Sequence, residues 1–568
     1  MVNSQSARRL NLISSFFVLV GLLLATRLFL IQIVFGGEYR ATAEEQNENL
    51  FNQTFNRGSI FWQAKDGTLA AAATLESHYD LVIDPGLITN PDVVLAGLKT
   101  VFPDLDETKF FAQSARADDR YEEVRKDLTE AEAKAVKQLN LIGVQILEEH
   151  QRSYPSGNLG SHILGFMGFK GDEFAGRYGL ESEYELVLRR AQPLAFTSFL
   201  SEIFSGGTGA LAEESETGDL VTTIEPTVQR FLEAELEAIK TKWQSKSVGG
   251  IVLEPATGKV IAMAARPDFN PGGKQADLAN LTNPLVEKVY EMGSIMKPIT
   301  MASGLDAGVV TEKTTYNDAG SLTLDGKVVS NFDGRARGVV PMQEVLNQSL
   351  NTGAVFVMQA LGRERFRDYL EAFGIGSVTG VDLPNEEAGL VGNLTSGHDL
   401  EFANMSFGQG IAMTPLNITV ALSVLANGGY LVRPQLVQSI KYESGETKVL
   451  PVEKGRQVIK PESSKRITDM LVRVVDEALD GGRAKLPHYR IAAKTGTAQV
   501  PLETGRGYDP DRFLHSFFGY FPASAPRFTV FLYNLEPVGA EYASKTLTEP
   551  FSHLAKFLLN YYQVPPDR

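Results

Sequence analysis

The sequence predicts an α+β protein whose C-terminal part folds around one antiparallel sheet packed between helices. Two strand-like apolar runs, residues 248–253 and 260–265, are joined by a hairpin loop, Glu254-Pro255-Ala256-Thr257-Gly258-Lys259. Three further strand-like runs, residues 489–500, 516–521 and 528–535, come only near the end of the chain, and a helix over residues 550–559 closes it. Between the two sets, residues 300 to about 475 carry a largely helical pattern. Strands from both ends of such a region pack as one sheet covered by helices.

Taken in order, the chain opens on an apolar segment, residues 12–35, interrupted by Arg27. At about 1.5 Å per residue it reaches roughly 36 Å, enough for a hydrocarbon core of about 30 Å. Arg8 and Arg9 precede it, so residues 1–11 are expected as a cytoplasmic tail, with everything after the segment exported. A cleaved signal peptide is the alternative; the long apolar run and the lack of a clean small-x-small site favour an uncleaved transmembrane anchor.

Residues 36–225 are expected to form a mixed, non-catalytic stalk. Arg57-Gly58-Ser59-Ile60-Phe61 and Lys65-Asp66-Gly67-Thr68-Leu69-Ala70 suit strand, tight turn, strand, with Asp-Gly supplying the turn. Residues 128–141, rich in Ala, Glu and Lys, suit a helix, and a short helix is expected from Tyr178-Gly179-Leu180-Glu181 through residue 188. Residues 193–218 combine an apolar patch, a glycine run and an acidic run, the composition of a loop. An amphipathic helix over residues 226–242, with Val228, Phe231, Leu232, Leu236 and Ile239 on its apolar side, begins the C-terminal domain, expected over residues 226–562.

Composition narrows the function. A chain of 568 residues has room for several domains, and 43% apolar with 22% charged residues is ordinary for folded protein. The net charge of −15 argues against a nucleic-acid partner, since phosphate binding needs a basic surface. Without cysteine there is neither a disulfide nor a Cys-ligated metal, and the seven histidines are scattered outside any metal-binding spacing. No metal or organic cofactor is expected.

The stretch Tyr290-Glu291-Met292-Gly293-Ser294-Ile295-Met296-Lys297-Pro298 carries the chemistry. Ser294 and Lys297 are three apart, which on a helix puts both side chains on one face. A serine hydroxyl needs a base to become a nucleophile, and a lysine supplies one when burial or a second cation lowers its pKa. N–H groups at a helix start are unpaired and can hold an oxyanion. Pro298 lacks the N–H that a regular helix would aim at the Ser294 carbonyl, so a distorted turn is expected. The spacing alone also arises by accident on solvated helices. Ser349-Leu350-Asn351 adds a hydroxyl that can relay a proton and a carboxamide that can bind a carbonyl. Lys494-Thr495-Gly496-Thr497, on an expected strand, adds positive potential, hydroxyls that can hold a carboxylate, and a glycine that either admits a substrate backbone or accommodates packing.

S-x-x-K, S-x-N and K-T-G in this order resemble the set of the penicillin-binding proteins and serine β-lactamases, with Leu350 in place of the aspartate of S-D-N. The resemblance extends to the class B penicillin-binding proteins through Arg57-Gly58-Ser59-Ile60, Arg152-Ser153-Tyr154-Pro155, Gly179-Leu180-Glu181, Ser406-Phe407-Gly408-Gln409-Gly410 with Thr414-Pro415-Leu416, and Ala426-Asn427-Gly428-Gly429. It covers nearly the whole chain. Phe61-Trp62-Gln63-Ala64, where the family has a shorter acidic-basic turn, and the long 193–218 loop depart from the pattern outside the catalytic set.

The resemblance implies a pedestal over residues 36–225 and a transpeptidase domain with a five-stranded antiparallel sheet. It implies that Ser294 attacks the D-Ala-D-Ala amide of a peptidoglycan stem peptide, with Lys297 as base. Ser349 and Asn351 would relay protons and hold the donor, and Lys494 would keep Lys297 neutral. Thr495, Gly496 and Thr497 would bind the terminal carboxylate, with the N–H groups of Ser294 and Thr497 as oxyanion hole. β-Lactams would acylate the same serine. A SEDS-family glycosyltransferase and other division or elongation proteins would be partners at the cytoplasmic membrane, with the catalytic domain on its outer side; similarity around residues 489–492 and 406–415 leans to the division type. A D,D-carboxypeptidase or β-lactamase would need a deacylating water and base that the sequence does not display. A penicillin sensor would need a larger cytoplasmic portion, and a non-catalytic scaffold would not need the intact set.

Overall fold

A computed structural model describes residues 56–170, 173–190, 216–273, 278–453, 455–502 and 507–568. The expected anchor 12–35 and nearly all of the 193–218 loop lie outside them. No helix among the described residues is long and apolar enough to cross a membrane. The chain divides into two compact units, residues 75–151 and residues 57–74 with 152–568.

The expected strand, turn, strand is the antiparallel pair β1 (Ile60–Gln63) and β2 (Leu69–Ile83), with Trp62 opposite Ala70. The second half of β2 belongs to the smaller unit, where it pairs with β3 (Glu122–Leu128) and β4 (Val144–Ser153). Helices α1 (Pro91–Lys99), α2 (Glu107–Ser114) and α3 (Glu130–Gln138) complete that unit. Leu81, Ile83, Leu98, Phe102 and Phe110 form its own small core. The Ala-Glu-Lys stretch is helical only from Glu130, because Thr129 stops the preceding strand and closes a capping box with Glu132.

In the larger unit, β1 runs parallel to β5 (Gly218–Thr222). The expected short helix is broken: α4 (Gly179–Glu183) ends at Tyr184, and a single further turn covers Glu185–Leu188. Helix α5 (Pro226–Trp243) begins where Glu225 caps the Val228 N–H and Pro226 takes a first-turn position.

The central sheet has the order β10 (Ala492–Pro501), β11 (Tyr508–Phe521), β12 (Phe528–Leu535), β6 (Ser247–Leu253), β7 (Val260–Arg266), antiparallel throughout. Strand β6 pairs β12 across most of the domain's length, Val252 opposite Val530, and β10 is an edge strand. One face carries α5 and the terminal helix α9 (Ala543–Tyr561), locked by stacked rings of Phe231 on Phe557 and Phe517 on Phe551. Helices α6 (Lys297–Asp306), α7 (Asn351–Leu361) and α8 (Pro461–Arg473) pack together on the catalytic side.

Three further expectations are corrected. Residues 300–475 are not uniformly helical: Val437–Tyr442 is strand β8, which extends the β1–β5 sheet by pairing Ile440 with Leu220 and is followed by β9 (Thr447–Val449). A short strand gains its identity from a remote partner, which local periodicity does not display. Strand β11 starts at Tyr508 rather than residue 516, because Tyr-Asp-Pro-Asp-Arg has no apolar alternation and is strand only through pairing with the end of β10. Helix α9 starts at Ala543 and carries Pro550 inside it; the Ala543 N–H donates to Thr497 Oγ1, which anchors the turn ahead of the proline.

Candidate active site

The reactive stretch forms a 3-10 turn, Gly293–Met296, that runs into α6. The Lys297 N–H bonds the Ser294 carbonyl and Pro298 follows, so the missing proline N–H is absorbed by a tighter turn. Gly293 has φ +62, its N–H donates to the Gly408 carbonyl at 3.1 Å, and a Cβ there would lie 2.8 Å from the Thr497 oxygen. Only glycine allows the turn to approach β10 this closely.

Lys297 is 1% exposed, and its Nζ lies 3.0 Å from Ser294 Oγ, 2.6 Å from the Ser349 carbonyl and 3.1 Å from Ser349 Oγ. Burial, with the charge of Lys494 added, holds its pKa well below the ordinary lysine value. Ser349 sits between the end of a helix, Met342–Asn347, and the start of α7, with φ +55. That left-handed backbone costs a non-glycine residue about 1–3 kcal/mol, and here it accompanies the bond between its carbonyl and the Lys297 amine. Asn351 is the first residue of α7, and its Nδ2 donates to the Ser330 carbonyl at 2.8 Å.

Lys494 reaches the same network from β10: its Nζ lies 3.2 Å from Ser349 Oγ and donates to the Thr495 carbonyl at 2.9 Å. It is 3% exposed, and burial lowers its pKa to about 8. Thus Ser294, Lys297, Ser349 and Lys494, spread over two hundred residues of sequence, form one hydrogen-bonded group. Thr495 is half-buried beside it, and Thr497 Oγ1 accepts from α9, leaving its hydroxyl proton free to donate. Packing alone requires glycine at 496: a Cβ would meet Ser516 Oγ at 2.3 Å and the Met292 oxygen at 2.6 Å.

Sequence reasoning missed the scaffold around the turn. Ser516 Oγ donates to the Met292 carbonyl, Thr300 Oγ1 donates to the Ser406 carbonyl, and Glu291 bonds both Gly410 and Tyr508. The one available signal was the place of Glu291 inside the reactive stretch.

The geometry offers an activated hydroxyl, a buried amine able to accept its proton, a second hydroxyl linking that amine to a cation, and an edge strand free to pair with an extended peptide. Comparison with known proteins agrees. The family described as "Penicillin binding protein transpeptidase domain" matches residues 248–555, and that described as "Penicillin-binding Protein dimerisation domain" matches residues 55–192. Stage V sporulation protein D of Bacillus subtilis is 30% identical over 96% of this chain and 84% of its own. Peptidoglycan D,D-transpeptidase FtsI of Escherichia coli is 26% identical over 76% of this chain and 71% of its own. Among solved structures, penicillin binding protein 3 of Mycobacterium tuberculosis in its apo form superposes with a TM-score of 0.65 at 27% identity, covering 74% of this chain and 92% of that one.

Proposed function

The chain belongs to the class B penicillin-binding proteins, and we propose on that premise that it is a serine D,D-transpeptidase that cross-links peptidoglycan stem peptides through Ser294. The observation that carries the reading is a buried lysine amine, without an anionic partner among the described residues, held between two serine hydroxyls beside a second buried lysine. Neutral Lys297 accepts the Ser294 proton as Oγ attacks the carbonyl of the penultimate D-Ala. The backbone N–H groups of Ser294 and Thr497 stabilise the tetrahedral oxyanion. The proton passes from Lys297 through Ser349 to the departing amine, releasing D-Ala and leaving an acyl-serine ester. Asn351 holds the donor peptide, while Thr495 and Thr497 hold its terminal carboxylate next to Lys494. The amine of a second stem peptide then attacks the ester carbonyl and gives its proton to Lys297, which hands it to Ser294 Oγ as the ester C–O bond breaks, forming the cross-link and restoring the free serine. A β-lactam acylates Ser294 by ring opening, so no leaving group departs.

In this reading residues 12–35 anchor the protein in the cytoplasmic membrane with the domain outside, and a SEDS-family glycosyltransferase is its partner, in a division role. Membrane fractionation and the midcell position of a fluorescent fusion test that part; side-wall labelling would turn it to elongation.

The chemical test is labelling with a fluorescent penicillin, followed by reaction with purified lipid-linked glycan strands. The expected result is a stable adduct lost in Ser294→Ala, and D-Ala release matched by cross-linked dimers. An adduct that survives Ser294→Ala, or D-Ala release without dimers, would overturn transpeptidation at this serine.

A further inference from the structure

We propose that Glu291 is a positioning residue: its carboxyl oxygen clamps the two elements that flank Ser294 and thereby sets the acylation rate, although it touches neither substrate nor the reacting atoms. The proposal rests on the assignment of Ser294 as nucleophile. Glu291 lies three residues ahead of Ser294, and its Oε1 accepts from the Gly410 N–H at 2.9 Å and from the Tyr508 hydroxyl at 3.1 Å.

The two donors come from opposite sides of the turn. Gly410 lies in the loop after the helix Asp399–Ser406; in that loop the Gly408 carbonyl accepts the Gly293 N–H, and the Gly410 carbonyl accepts from Asn393 Nδ2 at 2.7 Å. Tyr508 opens β11 and pairs with Pro501 at the end of β10, the strand that bears Lys494 and Thr497. One oxygen therefore ties the serine turn to the loop on one side and to the hairpin of the cationic strand on the other. The separation it holds is that between the Ser294 and Thr497 backbones, the two halves of the oxyanion site.

The turn itself is seated by close backbone packing against Thr497 and Gly408 and by the Ser516 bond to the Met292 carbonyl, but packing is open beside Glu291. A cavity of about 620 Å³, lined by Tyr290, Glu291, Asn393, Gly410, Gln499 and Leu514 among others, lies directly against the clamp. With open space on that side, the two hydrogen bonds add the restraint that packing there does not supply. The second oxygen, Oε2, is buried without a hydrogen-bond partner among the described residues, and burial raises the carboxyl pKa above its ordinary value. The clamp thus uses one acceptor atom and, among the described residues, no ion pair, a job that an amide carbonyl can also perform.

The test compares the full-length protein with Glu291→Ala, Glu291→Gln, Tyr508→Phe and the Glu291→Ala/Tyr508→Phe double variant. Stopped-flow labelling with a fluorescent penicillin separates affinity before acylation from the acylation rate constant. A displacement of about 1 Å in a reacting group can cost about 10²-fold. Glu291→Ala is therefore expected to acylate about 10- to 100-fold more slowly with affinity within about threefold. Glu291→Gln should stay within about threefold of the parent, because one acceptor remains, and Tyr508→Phe should lose about three- to tenfold. The double variant should be no slower than Glu291→Ala, since Tyr508 acts through Glu291. A parent-like rate for Glu291→Ala, a Glu291→Gln as slow as the alanine variant, or a loss in affinity instead of rate would each overturn the clamp. If Glu291→Ala melts below the assay temperature, Tyr508→Phe and Glu291→Gln decide alone: a slowed Tyr508→Phe beside a near-parental Glu291→Gln supports the clamp, and any other combination overturns it. Failure of the underlying assignment is distinct, because the parent would then show no Ser294-dependent labelling.

Discussion

Two regions of the larger unit bury charge, and they do so in opposite ways. Near β1, Arg57 and Glu181 are 2% and 0% exposed, and every charge of the cluster is paired. Arg57 Nε donates to Glu181 Oε2 at 2.6 Å, Arg57 Nη2 donates to Glu185 Oε2 at 2.8 Å, and Arg152 Nε donates to Glu181 Oε1 at 2.7 Å. Tyr154 adds a hydroxyl to the same carboxylate, and Arg152 also bonds the Gly58 carbonyl. Beside Ser294, Lys297 and Lys494 are as deeply buried, with hydroxyls and carbonyls for company and no carboxylate bonded to them among the described residues. Burial alone would raise Glu181; the charges of Arg152 and Arg57 outweigh it and hold the carboxyl below its ordinary range. At the lysines nothing offsets burial, so both pKa values fall, and Lys297, with Lys494 beside it, falls further. Buried charges of balanced sign hold segments together; buried charges of one sign become bases.

The variant that breaks this contrast most directly is Lys297→Met, which keeps the shape and removes the base. Acylation by a fluorescent penicillin is expected to fall by about 10³- to 10⁴-fold. A rate near that of the parent would show that the amine is a structural filler. Next in size is Glu181→Gln, which leaves Arg152 without its carboxylate and Arg57 with Glu185 alone. Its expected cost is about 3–5 kcal/mol of stability in denaturant unfolding, with acylation per folded molecule unchanged. Because the folded carboxyl is depressed, its contribution is complete above the ordinary value of 4.5 and is lost as pH falls through the folded pKa, so parent and variant curves should converge in acid.

Lys297→Met should also raise stability at neutral pH, by about 1–3 kcal/mol, the opposite sign from Glu181→Gln. The sign follows from linkage: a lysine depressed below 10.5 in the folded state lets the unfolded chain bind more protons. Parent stability therefore rises with pH up to 10.5, and the methionine variant should lack that lysine's share of the rise. The smallest effect concerns Lys494, lowered to about 8. Above that pH it loses the positive charge placed next to the donor carboxylate, and an alkaline limb should appear in the acylation rate; Lys494→Arg, which stays protonated, should move that limb up by about one unit or more. An unmoved limb in the arginine variant would assign it to another group.

Much of the fold was legible where one element's own side chains decide it. Residues 248–253 and 260–265 are continuous apolar runs with hairpin chemistry between them, and the amphipathic pattern from Pro226 marks α5. The illegible parts are those decided by a distant partner. Residues 437–442 become a strand because Gly218–Thr222 lies beside them, and residues 508–515 because β10 does. Gly496 left substrate approach and packing both open, and the packing partners, Ser516 and the Met292 carbonyl, come from segments remote in the chain.

The sequence by itself determined the inventory: a serine and a lysine one helical turn apart, a hydroxyl and amide pair, a lysine-bearing strand, and the apolar periodicities that make strands and helices of their surroundings. Tertiary structure alone decided that Ser294, Lys297, Ser349 and Lys494 share one hydrogen-bonded network, that Lys297 is depressed, and that Glu291 spans loop and hairpin. The reason is physical: spacing along a helix is local geometry, whereas a pKa and a hydrogen bond depend on the dielectric and the neighbours at a point in space, which here are supplied by segments remote in the chain.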